Sequence, residues 1–309
     1  MTGPAVSVER LTRSFGPLTA VSNISFEVAN GELFGIVGPD GAGKTTTLRM
    51  LAGILPPSAG TIRVGEVEAG GHPERAKLSL AYMAQRFGLY EDLTVAENLA
   101  FYADLYRVPR DLRPARIERL YRFSRLGEFQ GRLAGHLSGG MKQKLSLSCC
   151  LIHSPSVLLL DEPTFGVDPI SRRELWLILH ERVAEGITVI LSTSYMEEAE
   201  RCDRVALLHQ GGILALDRPR AIQESLEGRM LALRVSLPRA ARDVLRNTPG
   251  VRGASLFGDT VHALLDPGVP DEVAATAVRE RGIELRGSEA IRPSLEDMFI
   301  HLVGAADGH

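Results

Sequence analysis

Three short stretches of this sequence combine residue types that handle phosphate. In Gly38-Pro39-Asp40-Gly41-Ala42-Gly43-Lys44-Thr45, followed by Thr46, glycines precede a lysine and two hydroxyls. Glycines let backbone N–H groups wrap a β-phosphate, the Lys44 ammonium neutralises β- and γ-phosphate charge, and the Thr45 hydroxyl suits Mg²⁺. Taken alone, that pattern specifies a nucleotide binder and nothing more. In the second stretch, the apolar run Val157 to Leu160 ends in Asp161-Glu162-Pro163. A carboxylate at such a strand end can hold magnesium through a water, and the adjacent acid stands at the same edge. The third is Leu137-Ser138-Gly139-Gly140, continued by Met141-Lys142-Gln143-Lys144. A Ser-Gly-Gly turn opening the apolar helix Leu145 to Ile152 presents N–H groups, a hydroxyl and a positive helix end, which suits a terminal phosphate. That phosphate must be delivered from elsewhere.

The elements that must position these residues are legible from periodicity. Val6 to Phe15 and Ile24 to Val28 alternate in the strand manner, with Asn30-Gly31 a turn before the next strand, which predicts an antiparallel edge sheet. Leu33 to Val37 is a short apolar strand running into the glycine loop, and Lys44 to Leu51 is the helix that follows, stopped at Gly53. From Gln85 onward Leu, Arg and Tyr recur at helical spacing, beginning at the capping box Thr94 to Glu97, so residues 86–150 are expected to form a helical subdomain. Val157 to Leu160 and Ile187 to Leu191 have the continuous apolar texture of parallel strands covered on both faces, with a helix from Pro169 to Ala184 between them. Asp168 reads as the N-cap of that helix. The Pro56-Pro57 and Gly70-Gly71 pairs read as loops.

Beyond about Glu227 the pattern changes to strand-like pieces (Met230 to Leu237, Val261 to Leu265, Ile283 to Leu285) and helix-like ones (Ala240 to Arg246, Glu272 to Arg281). Ser294 and Asp297 form a capping box ahead of Leu295, Met298, Phe299 and Leu302 on one helical face. The expected division is 1–227 for the phosphate-handling domain and 228–309 for a small α+β accessory or regulatory domain.

At 309 residues, 44% hydrophobic and 24% charged, the chain is long enough for a proper buried core. A net charge of -3 argues against a nucleic-acid partner bound through broad basic surface. Cys149, Cys150 and Cys202 are an odd set without metal-ligand spacing and read as reduced thiols. No stretch approaches the roughly 20 apolar residues a bilayer requires, and Met1 to Arg10 carries no apolar secretory core. A cytoplasmic location is therefore expected.

In chain order, the glycine loop, the Leu137 to Lys144 segment and Val157 to Pro163 resemble the ATP-binding-cassette family of ATPases, and nearly the whole chain follows that pattern. The resemblance implies an α/β P-loop fold: a parallel-sheet core, an antiparallel β edge subdomain and a helical subdomain, with the C-terminal α+β domain appended. It implies ATP and Mg²⁺ as cofactors, Thr45, Gln85 and Asp161 at the metal, and Glu162 as the general base that polarises the attacking water. Gln85 would touch both metal and water. Phe15 would stack on adenine, a contact worth roughly 1–3 kcal/mol for base–aromatic pairs; a core phenylalanine is the rival reading. Leu137, Ser138, Gly139, Gly140, Lys142 and Gln143 would form a signature that meets the ATP of a second cassette, with the Phe165 to Asp168 loop crossing the interface.

One departure from the family pattern stands out. After the strand Ile187 to Leu191 the family usually carries Ser/Thr-His, whose imidazole contacts the γ-phosphate, whereas this chain reads Ser192-Thr193-Ser194-Tyr195. A serine donates one hydrogen bond but cannot bridge phosphate, water and the neighbouring loop, so slow hydrolysis is expected, by a factor of about 10²–10⁴ if the group is general-acid-base-like. That deficit favours a heterodimer, in which a partner cassette supplies its own histidine, over a homodimer. Gly88 to Val95 and Ser192 to Tyr195 resemble the first half of bacterial two-cassette efflux ATPases, and Arg292 to Phe299 the ending of drug-resistance-type export ATPases. The resemblance thus implies export of a drug, lipid or other small substrate through separate integral membrane permease subunits, with the chain peripheral on the inner face of the cell membrane. A DNA-repair or translation ATPase would need a coiled-coil insert or a basic linker between cassettes, and a small-molecule phosphotransferase would leave the signature without purpose. A regulatory cassette that binds ATP with little turnover stays open because of Ser194.

Overall fold

The computed structural model describes residues 3–68, 79–85 and 88–306. The Gly70-Gly71 pair and the expected first residue of the helical subdomain, Arg86, lie outside the described residues. Alternation places Val6, Val8 and Leu11 of β1 (Val6–Phe15) on a buried face, where β2 (Leu18–Val28) and β4 (Ala59–Val64) pair with it antiparallel. With β5 (Val67–Glu68) these strands form a four-stranded sheet in the order β2-β1-β4-β5. The antiparallel edge subdomain is as expected.

The second sheet holds the phosphate-handling stretches. Its strands are β3 (Leu33–Val37), β6 (Leu80–Met83), β7 (Val157–Asp161), β8 (Thr188–Thr193), β9 (Arg204–His209) and β10 (Gly212–Asp217), in the order β10-β9-β3-β8-β7-β6. Pairing is parallel from β9 through β3, β8 and β7 to β6. β3, β7 and β8 are buried at every position, which is why they read as unbroken apolar runs rather than alternations. Parallel pairing also puts the C-terminal ends of β3, β7 and β8 on one edge, where open α/β sheets bind their ligands.

The helices of this part are α1 (Lys44–Leu51), α2 (Val95–Leu105), α3 (Arg113–Ser124), α4 (Gly139–Leu151) and α5 (Pro169–Ala184), with a single turn α6 (Met196–Ala199) after β8. α2 opens on the predicted box: Thr94 Oγ1 accepts from Glu97 N, and the Glu97 carboxylate accepts from Thr94 N. Gly53 ends the turn after α1 at φ +65°, a left-handed conformation that a glycine adopts without steric cost. α4 differs from expectation: it starts at Gly139 with Ser138 as N-cap, so the glycine pair forms its first turn instead of a loop ahead of Leu145. Glycines score poorly in helix propensity, but here the Ser138 cap and packing override them.

The C-terminal part contains α7 (Pro219–Glu224), β11 (Arg229–Val235), α8 (Pro238–Arg246), β12 (Val251–Phe257), β13 (Thr260–Leu265), α9 (Glu272–Glu280), β14 (Leu285–Ile291) and α10 (Leu295–Ala306). Its antiparallel sheet runs β12-β13-β11-β14, and Leu231, Leu233, Val261, Ala263 and Leu265 form a core with Ala241, Leu245, Ala274 and Val278 of α8 and α9. The last strand lies at Leu285–Ile291, not at Ile283 to Leu285. Ile283 is buried ahead of it, while the strand itself is mostly half-buried or exposed, so hydrophobicity marks the wrong residues.

The chain forms two compact units: Met1–Glu198 with Cys202–Leu216, and Ala199–Arg201 with Asp217–His309. The division at Leu216 to Asp217 precedes the expected 227, because α7 packs on α10 and Gln223 Nε2 donates to Glu200 Oε1 at 2.9 Å within the second unit. Cys149, Cys150 and Cys202 are free and buried, and burial pushes all three thiols up. Among the described residues no helix is long and apolar enough to cross a membrane.

Candidate functional site

The glycine loop leaves β3 and enters α1 by a path that only glycine tolerates at two points. A Cβ at Gly38 would fall 2.3 Å from Leu208 O, and one at Gly43, where φ is +104°, would fall 2.5 Å from Ala20 O. The loop is thus wedged between β9 and the start of β2. Lys44 follows at the first position of α1, almost fully buried, and its ammonium donates to Gly38 O at 2.8 Å and Pro39 O at 3.0 Å. It also pairs with Glu162 Oε1 at 3.3 Å.

The acids at the end of β7 are held by a closed network. Asp161 Oδ1 accepts from Thr45 Oγ1 at 2.9 Å and from Ser192 Oγ at 2.7 Å, while Oδ2 accepts from Tyr82 at 3.2 Å. Burial, then the negative charge of Asp161, pushes the Tyr82 hydroxyl up to about 12, so it stays a proton donor to that carboxylate. Glu162 has φ +48°, sparsely populated by non-glycine residues, and its N–H is pinned by Ser192 Oγ at 3.0 Å. Gln85 Nε2 donates to Glu162 Oε2 at 3.3 Å. Lys44, Thr45, Gln85, Asp161 and Glu162 therefore form one connected cluster.

The residues after β8 form a second network. Glu198, buried, accepts from Thr164 Oγ1 at 2.8 Å and Thr193 Oγ1 at 3.0 Å and pairs with Arg172 at 3.5 Å. Arg172 lies 4.7 Å over the ring of Tyr195. Ser194 stands between Thr193 and Tyr195, partly buried, at the bend where the family pattern has its histidine. This network fixes the backbone on either side of Ser194.

Phe15 closes β1 in register with Leu18, and its ring is 45% exposed with the Arg13 guanidinium 4.6 Å over one face. That exposure removes the core-phenylalanine reading. Because the same hairpin lays Ala20 against Gly43, Phe15 is on the element that borders the glycine loop.

The signature stretch has different neighbours. Ser138 Oγ accepts from Met141 N at 3.3 Å, and Ser138 and Gly139 are exposed. Gly140 is buried where α4 meets the start of α5: a Cβ there would come 2.3 Å from the Ser171 side chain and 3.5 Å from Asp168 Oδ2. Asp168 caps α5 by accepting from Ile170 N at 3.1 Å and Ser171 N at 2.9 Å; these bonds hold its exposed carboxyl below the usual range. Lys142 pairs with Glu91 at 2.8 Å, and Leu137 is buried. The Gln143 carbonyl oxygen is buried without a partner among the described residues. Phe165 and Ile170, 55% and 75% exposed, flank this surface.

Sequence reasoning missed Tyr82, Ser192, Thr164, Arg172 and Glu198. Tyr82 left one signal, a polar-tipped aromatic inside an otherwise apolar strand. Glu198 left none, since it is one acid of the run Glu197, Glu198, Glu200 and only folding buries it.

A family model described as ABC transporter matches residues 21–165. The "Nod factor export ATP-binding protein I" of Rhizobium sp. (strain N33) is 36% identical over 98% of both chains. This chain belongs to the ABC transporter ATP-binding family. The "Probable multidrug ABC transporter ATP-binding protein YbhF" of Escherichia coli (strain K12) is 44% identical over 93% of this cassette chain, which spans 50% of that relative's length. A solved structure described as "Structure of ATP binding subunit of ABC transporter" superposes with a TM-score of 0.65 at 30% identity, covering 71% of this chain and 92% of that one. Fold and family thus agree with the resemblance read from the motifs.

Proposed function

We propose that this cassette binds ATP at the Lys44–Asp161–Glu162 cluster, hydrolyses it in a composite dimer site, and thereby drives export of a drug, lipid or other small substrate through separate membrane permease subunits. The observation that carries the reading is the buried Lys44–Glu162 pair at the end of the glycine loop. A buried ammonium held by carbonyls and one carboxylate is a site that a polyphosphate chain can enter by exchange, since it offers stronger anions for the same cation. Thr45 and Asp161 supply hard oxygen donors side by side, a set that suits Mg²⁺, which takes few protein ligands and completes its shell from phosphate and water. When bound, the ion neutralises charge on the β- and γ-phosphates. Glu162 would act as general base and Gln85, bonded to it, would orient it. Phe15 would stack on the adenine; Gly38, Pro39, Asp40, Gly41, Ala42, Gly43 and Thr46 would line the phosphates.

Family cassettes work as dimers with membrane components. For this chain, the exposed Ser138-Gly139 turn flanked by Asp168, Phe165 and Ile170 supports a surface that faces a second cassette. The unit that ends at Leu216 would form the ATPase domain and the unit from Asp217 its accessory domain, with the protein held at the inner membrane face through its permease.

Ser194 supports a partner bearing its own histidine. The test is steady-state ATP hydrolysis by the purified chain with and without a histidine-bearing cassette. Weak activity alone that rises on mixing is the expected result, and the weak activity of the lone chain should fall by about 10²–10⁴ in Glu162→Gln while nucleotide binding persists. Robust turnover by the lone chain, abolished in Glu162→Gln, would overturn the heterodimer but not the ATPase reading. Ser194→His should raise the rate of the isolated chain; an unchanged rate would remove the role given to this position.

A further inference from the structure

The C-terminal unit has a second face that its core does not use. On β13, Val261, Ala263 and Leu265 point into the core with α8 and α9, so His262 and Leu264 emerge on the opposite side. There Leu264 pairs with Met230 of β11, and His262 with Ser255 of β12. α10 crosses this face and rests against β12, and sheet and helix line a cleft of about 670 Å³. Ligand pockets commonly span roughly 300–1,000 Å³, and this cleft falls within that range.

The lining is divided by chemistry. Met230, Leu264 and Ile300 supply an apolar wall. Arg246 supplies donors, and His262 and His301 supply ring nitrogens. His262 is held more tightly than packing needs: its Nδ1 lies 2.9 Å from Asp297 Oδ1 and its ring stacks on Phe257 at 4.0 Å and 16°. Asp297 is in turn fixed by Ser294, whose N and Oγ donate to Oδ2 at 2.9 and 2.7 Å. Although burial alone would raise it, bonds from His262 and Ser294 hold the Asp297 carboxyl below its usual range. With Nδ1–H donated to the Asp297 carboxylate, Nε2 is the ring nitrogen left for a ligand, and it donates to an anion in the imidazolium form of the ring. Arg246 donates from Nε to Ala254 O at 3.0 Å, which anchors the guanidinium and leaves its terminal nitrogens for another acceptor. Burial first, and the nearby Arg252 charge in addition, hold His301 below the usual histidine range.

We infer that this cavity binds a small amphipathic organic anion, its apolar body against Met230, Leu264 and Ile300 and its carboxylate or sulfonate held by Arg246, His262 and His301. The volume suits a ligand of drug size and not a diacyl lipid. The site lies wholly in the second unit and does not depend on the nucleotide reading.

Isothermal titration of the full chain with octanoate, and with octanol as the uncharged counterpart, tests it. Octanoate is expected to occupy one site per chain at least about tenfold more tightly than octanol, because octanol lacks the charged hydrogen-bond acceptor. Arg246→Gln should remove that preference, and Ser255→Phe, which fills the cavity from β12, should remove both affinities with the thermal melt retained. Octanoate should also move the imidazole resonances of His301 and His262, assigned with His301→Gln. No octanoate binding at millimolar concentration, equal affinity for both probes, or unmoved imidazoles overturns the proposal, the last even where Ser255→Phe fails to fold. Flotation with phosphatidylglycerol vesicles separates the sources: binding that Ser255→Phe abolishes would assign the cavity to lipid and refute a free ligand.

Discussion

The surfaces around Lys44 and around Ser138, which we propose face phosphate, are built to different degrees of completion. Around Lys44 nearly every polar group is satisfied by its own chain: the ammonium by two carbonyls and Glu162, Asp161 by Thr45, Ser192 and Tyr82, and Glu162 by Gln85. Around Ser138, among the described residues, the hydroxyl caps its own helix, Gly139 is open to solvent, and the Gln143 side-chain oxygen is buried without a partner. A pre-satisfied network gives rigidity, whereas an exposed N-terminal turn of a 13-residue helix gives a positive surface for an anion from outside. On the proposed reading, the difference makes one surface a pocket and the other a lid for a partner cassette's pocket.

The largest effects should come from breaking that asymmetry. Lys44→Ala and Ser138→Arg are both expected to lower turnover by about 10² or more in the presence of a partner cassette, the cost of losing a phosphate-facing donor. They should part company in the isolated chain. Lys44→Ala loses affinity for a fluorescent ATP analogue there, and Ser138→Arg leaves it unchanged. If Ser138→Arg weakened binding by the lone chain equally, both surfaces would belong to one pocket and the comparison would fail.

A smaller effect tests the border of the pocket. Phe15→Ala should weaken ATP binding by about 1–3 kcal/mol, while leaving inorganic triphosphate binding alone, because only the base needs an aromatic surface. The ring is already exposed with Arg13 on one face, so the fold should lose little. Equal losses for both ligands would place Phe15 in structural support of the hairpin.

How much of this was legible follows the same line. The glycine loop, α1, the Asp161-Glu162 pair and α5 could be read because loop and cap chemistry are local: Gly43 needs φ +104° and Asp168 bonds residues two and three positions away. Buried parallel strands were legible because both faces are apolar. The groups that fix the acids were not. Tyr82 and Ser192 lie on separate strands and meet at Asp161 only through the β6-β7-β8 register. Likewise the α4 start was misplaced because Gly139-Gly140 opposes helix by propensity, and only the close approach to Ser171 explains the second glycine. In the C-terminal unit, β12 escaped notice and β14 was placed too early, since their exposed positions hold small and polar residues without a steady alternation.

The smallest expected effect concerns the joint between the two surfaces. His153 follows α4, the signature helix, and its Nε2 lies 3.4 Å from Leu80 O at the start of β6, the strand that leads to Tyr82 and Gln85. Its ring stacks on Tyr106 at 4.0 Å, and its Nδ1 is buried without a partner among the described residues. Burial first, and the Arg116 charge in addition, hold this histidine below 6.5, outweighing the bond to Leu80. The folded chain therefore binds this proton less readily than the unfolded one, so stability is full above the ordinary histidine range and is lost as pH falls through 6.5 and below. Melting temperatures taken between neutral pH and mild acid should decline in the wild type and decline less in His153→Gln, whose amide can still donate to Leu80 without taking a charge. Because the joint couples signature helix to acid-bearing sheet, the same acidification should speed amide exchange in α4 before it does so in β7. Loss of protection in β7 first would mean that the pocket, not the lid, is the softer half.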